Sequence, residues 1–265
     1  MRYRLFEFED QQWFPDVIRR SMTDYLRYLL GVFHLYQPAA ALVMEGVEQT
    51  GATQVVDLCS GSGGAIEQIQ REIERQFSRR IPVVLSDKFP NCAAYALLEE
   101  QTGGRIAYCE QPVDATDVPG SLKGFRTVFS AFHHFDTGTA RDVIGNAVKA
   151  GEGIAVFDGG DKHIGMLLLI LLVHPLVLLL GTPFFKPFRW SRIWFTYLIP
   201  LIPFCTIWDG WVSVLRLYSP GQMLQLAQAG SNGRHYVWKT GRLKNKWGMR
   251  ISYLLGYPAS AATGK

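Results

Sequence analysis

The sequence predicts an α/β protein in which a parallel sheet carries helices on both faces. From Thr53 onward, short β-branched runs alternate with helical stretches, the pattern of strands joined by crossover helices. With 265 residues, 48% of them apolar, the chain is long enough for one large core of this kind. A strongly apolar stretch over 163–208 then interrupts the alternation and predicts an insertion beside that core.

Between Trp13 and Val47, apolar residues at helical spacing (Ile18, Met22, Tyr25, Leu26, Leu29, Leu30, Phe33) predict two helices broken near Tyr36-Gln37-Pro38, lying over the mouth of the fold. Strands are expected at 53–58, 81–86, 105–109, 126–131 and 153–158, and helices at 64–78, 91–101 and 137–150. After the apolar stretch, a helix from about Pro220 to Ala229 and strands at 235–242 and 249–256 close the chain. The expected segments are therefore a helical lid (1–50), a core (51–162), an apolar insertion (163–210) and a helix with a strand pair that rejoins the sheet (211–265).

The net charge of +4 hides an asymmetry. After Asp161 there are 12 Lys and Arg and one acid, Asp209, giving +11, whereas residues 1–161 carry 15 bases and 22 acids, giving −7. Such a basic, apolar half suits anionic lipid or another polyanion; a basic surface serving solubility alone is the plainer reading. The four cysteines, Cys59, Cys92, Cys109 and Cys205, have no metal-ligand spacing and read as reduced thiols of a cytosolic protein. The opening residues lack an apolar h-region, so no secretory signal is expected there.

Val55-Val56-Asp57-Leu58-Cys59-Ser60-Gly61-Ser62-Gly63-Gly64 is an apolar strand running into a glycine turn that opens a helix, where backbone can approach a ligand closely. A dinucleotide fingerprint requires a further glycine three residues beyond Gly63, where Ile66 stands, which points away from NAD. The second strand ends in Asp87-Lys88, placing an acid where a carboxylate can accept from both hydroxyls of a ribose. The third is followed by Val113-Asp114-Ala115-Thr116-Asp117.

These residues resemble the class I S-adenosylmethionine-dependent methyltransferases, in which an acid is followed at two-residue steps by small residues: here Asp57, Cys59, Gly61 and Gly63. The resemblance covers residues 50 to 160 well and the last strand pair loosely. It implies a Rossmann-like seven-stranded methyltransferase sheet with helices on both faces, to which the residue pattern adds an N-terminal helical lid and an apolar helical insertion after strand 5. It also implies S-adenosylmethionine as cofactor, held by Asp57, Cys59, Ser60, Gly61, Gly63, Asp87, Lys88, Asp114, Ala115 and Ser130, with Asp87 as ribose acid and Asp114 and Ala115 at the adenine. Cys59 stands where a glycine is commoner. The opening Phe6-Glu7-Phe8-Glu9-Asp10 with Trp13-Phe14-Pro15 also looks like a bacterial subgroup of such enzymes.

Methyl transfer needs a nucleophile placed in line, and a base only if that nucleophile is protonated. Phe132-His133-His134-Phe135-Asp136 follows the fourth strand, where α/β sites assemble, so His133 or His134 is the candidate base; shaping the pocket is their structural alternative. No metal site is expected from His133, His134 and Asp136, because neighbouring histidines on a strand or turn point apart and a further ligand is missing. The strand also lacks the Asn-Pro-Pro-Tyr type of sequence of enzymes that methylate nucleic-acid and protein amines, so a nucleic-acid partner is not expected.

From His163 to Phe185 there is no Asp, Glu, Lys or Arg, and a helix over 164–185 would reach ~33 Å, enough for a bilayer core. His174-Pro175 interrupts its middle, and the return segment Ile193 to Trp208 would reach only ~24 Å. A monotopic dip into one leaflet is therefore expected, with Lys186, Arg189, Arg192 and the Trp190, Trp194, Trp208 and Trp211 rings near the headgroups. A true span, an apolar lid over a lipophilic substrate and a dimer interface are the alternatives. The expectation is a cytoplasmic methyltransferase, peripherally or monotopically attached to the inner face of the membrane, acting on a hydrophobic small molecule or lipid that enters from the apolar side. A membrane-bound scaffold without transfer activity and an RNA or protein methyltransferase are the competing readings.

Overall fold

Val-rich runs form the middle of the sheet. Strand β1 (Val55–Leu58) is buried throughout and pairs in parallel with β2 (Val83–Ser86) on one side and β4 (Phe125–Phe129) on the other. In the computed structural model of the chain, which describes residues 5–160 and 162–259, the sheet is completed by β3 (Ile106–Tyr108), β5 (Ile154–Gly159), β6 (Tyr236–Lys244) and β7 (Arg250–Pro258). Residues 1–4 of the expected lid, Asp161 of the expected core and 260–265 of the closing segment lie outside the described residues. The strand order is β3-β2-β1-β4-β5-β7-β6, with β7 antiparallel to both neighbours, so the expected strand pair rejoins the same sheet. The chain leaves β1 toward β2 and β3 and then crosses back to β4. This opens a crevice at the carboxyl ends of β1 and β4, where α/β sheets bind ligands.

Successive strand residues face opposite layers. Val55, Val83, Phe125 and Ala155 join α2 (Ala40–Thr50), α3 (Gly64–Phe77) and α4 (Cys92–Thr102) on one face, while Val56, Val128, Ile154 and Val156 join α5 (Thr137–Ala150) and α9 (Pro220–Gly230) on the other. Of the two N-terminal helices, α1 (Asp16–Phe33) lies at the mouth, its Thr23, Leu26, Arg27 and Leu30 lining the crevice. The second, α2, is instead part of the core. Its Gly46 approaches the sheet so closely that a Cβ there would sit 2.2 Å from the Phe125 ring. Of the two helices expected over the mouth, one lines the crevice and the other packs in the core.

The insertion begins with α6 (Ile164–Gly181), which continues through Pro175 as a single helix, contrary to the interruption expected at His174-Pro175. A proline removes one N–H donor, whereas the leucine-rich turns on either side keep theirs, and Ile170 and Leu178 are anchored by burial. After a 3-10 turn (Thr182–Phe184), α7 (Trp190–Ile193) runs into a π-turn (Trp194–Leu198), and α8 (Leu201–Arg216) leaves it at 81°. Because α8 runs through 210, no segment boundary falls there. α1 meets the insertion in a separate apolar cluster: Phe14, Ile18, Met22 and Tyr25 against Leu178, Phe185, Ile202 and Cys205. By length and composition Ile164–Phe184 suffices to cross a membrane, its most apolar 18-residue window having a mean hydropathy of 2.7 with 17% of that window buried.

Candidate active site

A cavity of about 690 Å³ opens over the carboxyl ends of β1, β2 and β4. Its floor is the turn after β1. Asp57, 2% exposed, accepts from Thr127 Oγ1 at 2.6 Å, and burial pushes its carboxyl up to about 7. Ser60 ties the turn to β2, its backbone N–H donating to the Ser86 carbonyl at 3.0 Å and its Oγ to the Asp57 carbonyl at 2.9 Å. Gly63 has φ +75°, and a Cβ there would meet Leu98 at 2.5 Å, so both conformation and space demand glycine. Cys59 has φ +57° in the left-handed region, which explains why glycine suits this position better.

Asp87 joins the two loops. Its Oδ2 accepts from the Gly61 N–H and its Oδ1 from the Phe89 N–H, both at 2.8 Å, while burial raises its pKa. Lys88 Nζ lies 3.1 Å from Asp114 Oδ2, and Asp114 Oδ1 accepts from the Thr116 backbone and hydroxyl, which hold its carboxyl below the usual range. Ala115 is buried beside it. The fourth strand ends before Ser130, two residues short of the expected 131. Ser130 takes φ +51° and shares a hydrogen bond with the buried Tyr36 hydroxyl. Of the ten expected cofactor-binding residues, Gly63 is the one that does not line the cavity; Asp57, Cys59, Ser60, Gly61, Asp87, Lys88, Asp114, Ala115 and Ser130 all do.

The histidines occupy a 3-10 turn (Phe132–His134) with ring centroids 4.4 Å apart. The expectation that they point apart is corrected: although a 3-10 turn sets consecutive side chains about 120° apart, the two rings fold back to lie against each other at an interplanar angle of 31°. His133, 5% exposed, pairs through Nδ1 with Asp158 Oδ1 at 3.1 Å and does not line the cavity. His134 does line it, and its Nδ1 lies 2.8 Å from Asp10 Oδ1 and 3.0 Å from Glu7 Oε2. Burial disfavours the His134 cation, but Glu7 and Asp10 outweigh this and push its pKa up to about 10. Asp136 caps α5 by accepting from the Thr139 N–H at 2.8 Å.

Sequence reasoning missed the rest of this network. Arg216 of α8 lies 3.1 Å from Glu7 Oε1 and 2.6 Å from Asp10 Oδ2, and it also donates to the His134 carbonyl. Asp209 accepts from the backbone N–H groups of Phe8 and Glu9 at 2.7 and 3.0 Å. Burial and the nearby Asp209 push Glu9 up to about 8; burial and Glu7 push Asp209 up to about 7. Two signals pointed here: the acidic opening Glu7, Glu9, Asp10, and Asp209 as the one acid of a basic half. Glu7, His133 and His134 have ligand atoms within 4.8 Å of one another, a spacing a metal ion could bridge, although Arg216 and Asp10 already pair with Glu7 and His134.

The insertion reaches the cavity through Arg216; α6 and Trp208 do not line it, but the Trp208 ring lies 5.5 Å from that of Phe6, which does. Arg189 and Arg192 are corrected from their expected headgroup position. Both turn inward onto the buried carboxylate of Asp24, Arg192 being 1% exposed. A buried carboxylate strongly favours guanidinium partners over solvent. Trp208 and Trp211 donate to the carbonyls of Phe6 and Leu167, while Trp190 and Trp194 stand exposed.

Sheet order and the cavity at its crevice define an α/β fold shared with solved O-methyltransferases. The chain is similar in fold to an O-methyltransferase from neocarzinostatin biosynthesis, NcsB1, in complex with S-adenosyl-L-homocysteine and 1,4-dihydroxy-2-naphthoic acid: TM-score 0.54, 16% identity, covering 92% of this chain and 59% of that one. The same protein with S-adenosylmethionine and 2-hydroxy-5-methyl naphthoic acid gives 0.53 at 15% identity, with 92% and 59% covered. PigF with S-adenosyl-L-homocysteine gives 0.50 at 16% identity, covering 94% of this chain and 63% of that one. This chain therefore spans about three fifths of the length of these structures. No protein-family model and no curated protein sequence matches it.

Proposed function

We propose that the protein transfers a methyl group from S-adenosylmethionine to a hydroxyl of a hydrophobic small molecule or lipid, at a membrane surface. The observation that carries this reading is the convergence of Asp57, Gly61, Asp87 and Asp114 in one cavity at the crevice of a methyltransferase sheet. The residues fit the donor. A glycine turn brings backbone to the cavity wall, Asp87 is a half-buried acceptor just past the end of β2, and Asp114 with Ala115 sits one loop further along. When bound, the donor supplies an electrophilic methyl group on a sulfonium. The O-methyltransferase neighbours with naphthoic acids support an aromatic or similarly apolar acceptor.

The chain's own residues set the acceptor end. Leu5, Phe6 and Phe135 give it an apolar rim, and His134, held protonated by Glu7 and Asp10, presents a cation to the cavity. Already protonated, His134 does not serve as the expected base; its charge lowers the pKa of an acceptor hydroxyl, whose proton passes to solvent before the anionic oxygen takes the methyl group. His133 is oriented by Asp158 and buttresses His134 from behind the wall.

The membrane part rests on the insertion. α6 exposes leucine on most of its surface, Leu172 at 70%, and Trp190 stands 77% exposed beyond its end. A continuous apolar surface of this size, without a charge from His163 to Phe185, calls for a covering phase, and the basic second half of the chain suits an anionic bilayer.

The test is incubation of the protein with labelled methyl donor and either bacterial lipid extract or a panel of aromatic hydroxy acids, read by mass spectrometry. Label should enter a hydroxyl of an apolar acceptor. Asp87→Ala should weaken binding of S-adenosyl-L-homocysteine by about 1.5–3 kcal/mol, the range for hydrogen bonds to a charged group. Donor uptake without transfer to any acceptor supports the scaffold reading instead; absence of donor uptake by folded protein removes both.

A further inference from the structure

Two loops shape the donor half of the cavity: the glycine turn after β1 and the loop from Asp87 to α4. Both end on the same buried group, which lies in neither. Asp24 of α1 is 1% exposed. Its Oδ1 accepts from Ser62 Oγ at 2.8 Å and from Asn91 Nδ2 at 3.0 Å. Asn91 Nδ2 also donates to Ser62 Oγ at 2.9 Å, closing a triangle of side chains between the loops. Ser62 stands between Gly61 and Gly63, and Asn91 precedes the first residue of α4.

The other carboxylate oxygen faces the insertion. Arg189 Nε donates to Asp24 Oδ2 at 3.1 Å, and Arg192 Nη2 donates to the same atom. Arg189 Nη2 reaches past it to Asn91 Oδ1 at 3.1 Å, so one guanidinium bridges the α1 carboxylate and the second loop. Arg192 is fixed in turn by the carbonyls of Phe185 and Pro187, 3.0 and 3.1 Å away. Ser62 and Asn91 line the cavity; Asp24, Arg189 and Arg192 do not.

We propose that Asp24 is a positioning residue for the donor half of the cavity, and that Arg189 and Arg192 complete that positioning from the insertion, outside the sheet. The proposal rests on the donor reading above for its functional consequence. Its physical basis is independent of that reading. A buried carboxylate depends on its guanidinium partners, and removing Arg189 takes away both its bond to Asp24 and its bond to Asn91, which weakens the anchor the two loops share even while Arg192 still pairs with the carboxylate. The Gly61 N–H and the Asp87 carboxylate, 2.8 Å apart across the two loops, are then free to separate. The apolar insertion is thus a working part of the donor site as well as a membrane element, and donor affinity depends on arginines that never touch the donor.

The test compares Arg189→Gln, Arg189→Lys and Asp24→Asn with the wild-type full chain by hydrogen exchange without ligand and by calorimetry with S-adenosyl-L-homocysteine. Arg189→Gln should speed amide exchange in residues 59–64 and 87–91 by at least about tenfold, leave α5 unchanged, and weaken binding by at least about tenfold. Arg189→Lys, which keeps the charge without the fork, should recover part of both. If Asp24→Asn fails to fold, Arg189→Gln decides the question alone. Unchanged exchange in both loops of Arg189→Gln overturns the proposal, and so does a rise shared equally by α5, the mark of general destabilisation. Wild-type protein that binds no S-adenosyl-L-homocysteine while its loops respond as described overturns the donor reading and leaves the positioning role standing.

Discussion

Glu9 is one of four groups that give the protein's response to pH the same sign. Burial, then the charge of Asp209, pushes its carboxyl from an ordinary 4.5 up to about 8. Between those values the folded chain keeps a proton that the unfolded chain releases, so stability falls as pH rises through that window. Asp209 and Asp57, raised from 3.8 to about 7 mainly by burial, act in the same direction. His134, raised from 6.5 to about 10, contributes stability that is complete below 6.5 and lost as pH climbs through 10. Asp10, lowered from 3.8 to about 2 because the His134 hydrogen bond and charge outweigh burial, contributes stability present above 3.8 and lost below it. The melting temperature should therefore be highest in mildly acidic solution and decline from about pH 5 to about pH 9. Glu9→Gln should make that decline shallower without abolishing it, as thermal melts across the range would reveal. An equally steep decline in the variant would clear Glu9 of the effect. The three expected donor acids were readable in advance as residues that line the cavity, because local signals place Asp57 in β1 and Asp87 and Asp114 in the loops after β2 and β3. The network around Glu9 was not, because Arg216 and Asp10 meet across 206 positions of chain and no local pattern announces such a pair.

At the scale of elements, strand positions were legible to within two residues because β-branched runs and their flanking turns are local signals: 53–58 became Val55–Leu58, and 153–158 became Ile154–Gly159. Two placements depended on packing instead. The spacing of Val43, Met44 and Val47 marks an amphipathic helix, yet nothing local says that its face meets Phe125 rather than the cavity mouth. Proline at 175 marks a broken hydrogen bond, yet whether the helix breaks there depends on what holds its two halves. In α6 they are held by burial of Ile170 on one side of the proline and Leu178 on the other. The helix therefore carries a local defect that its neighbours stabilise. Pro175→Ala restores the missing donor and should stabilise the protein by up to about 3 kcal/mol, seen as a raised melting temperature with donor-product affinity unchanged. A lowered melting temperature would mean that the proline ring itself makes a contact the helix needs.

For the whole molecule, the proposed attachment to a membrane turns on which of two features would carry it: charge or apolar area. The second half carries +11, which on its face favours electrostatic attachment to anionic lipid. Three of those bases are turned inward, Arg189 and Arg192 onto Asp24 and Arg216 onto Glu7 and Asp10, so the outward charge is smaller than the sequence implies. The apolar surface is not reduced in this way, since 17% of the most apolar window of Ile164–Phe184 is buried and Leu172, Leu180, Phe184 and Trp190 face outward. Charge attraction fades beyond ~10 Å at 0.1 M salt, whereas transfer of exposed leucines into acyl chains is nearly salt-independent. Sedimentation with vesicles separates the two contributions. Binding to neutral phosphatidylcholine vesicles should persist, anionic lipid should strengthen it modestly, and raising salt to about 0.5 M should weaken it by less than about tenfold. Leu172→Glu, which places a charge at the centre of the apolar face, should reduce binding by more than that salt change does. Release by salt alone would assign attachment to the basic residues. Monodisperse wild-type protein that ignores both vesicle types would remove the bilayer as the covering phase, and a concentration-dependent dimer under those conditions would identify a second copy of the chain in its place.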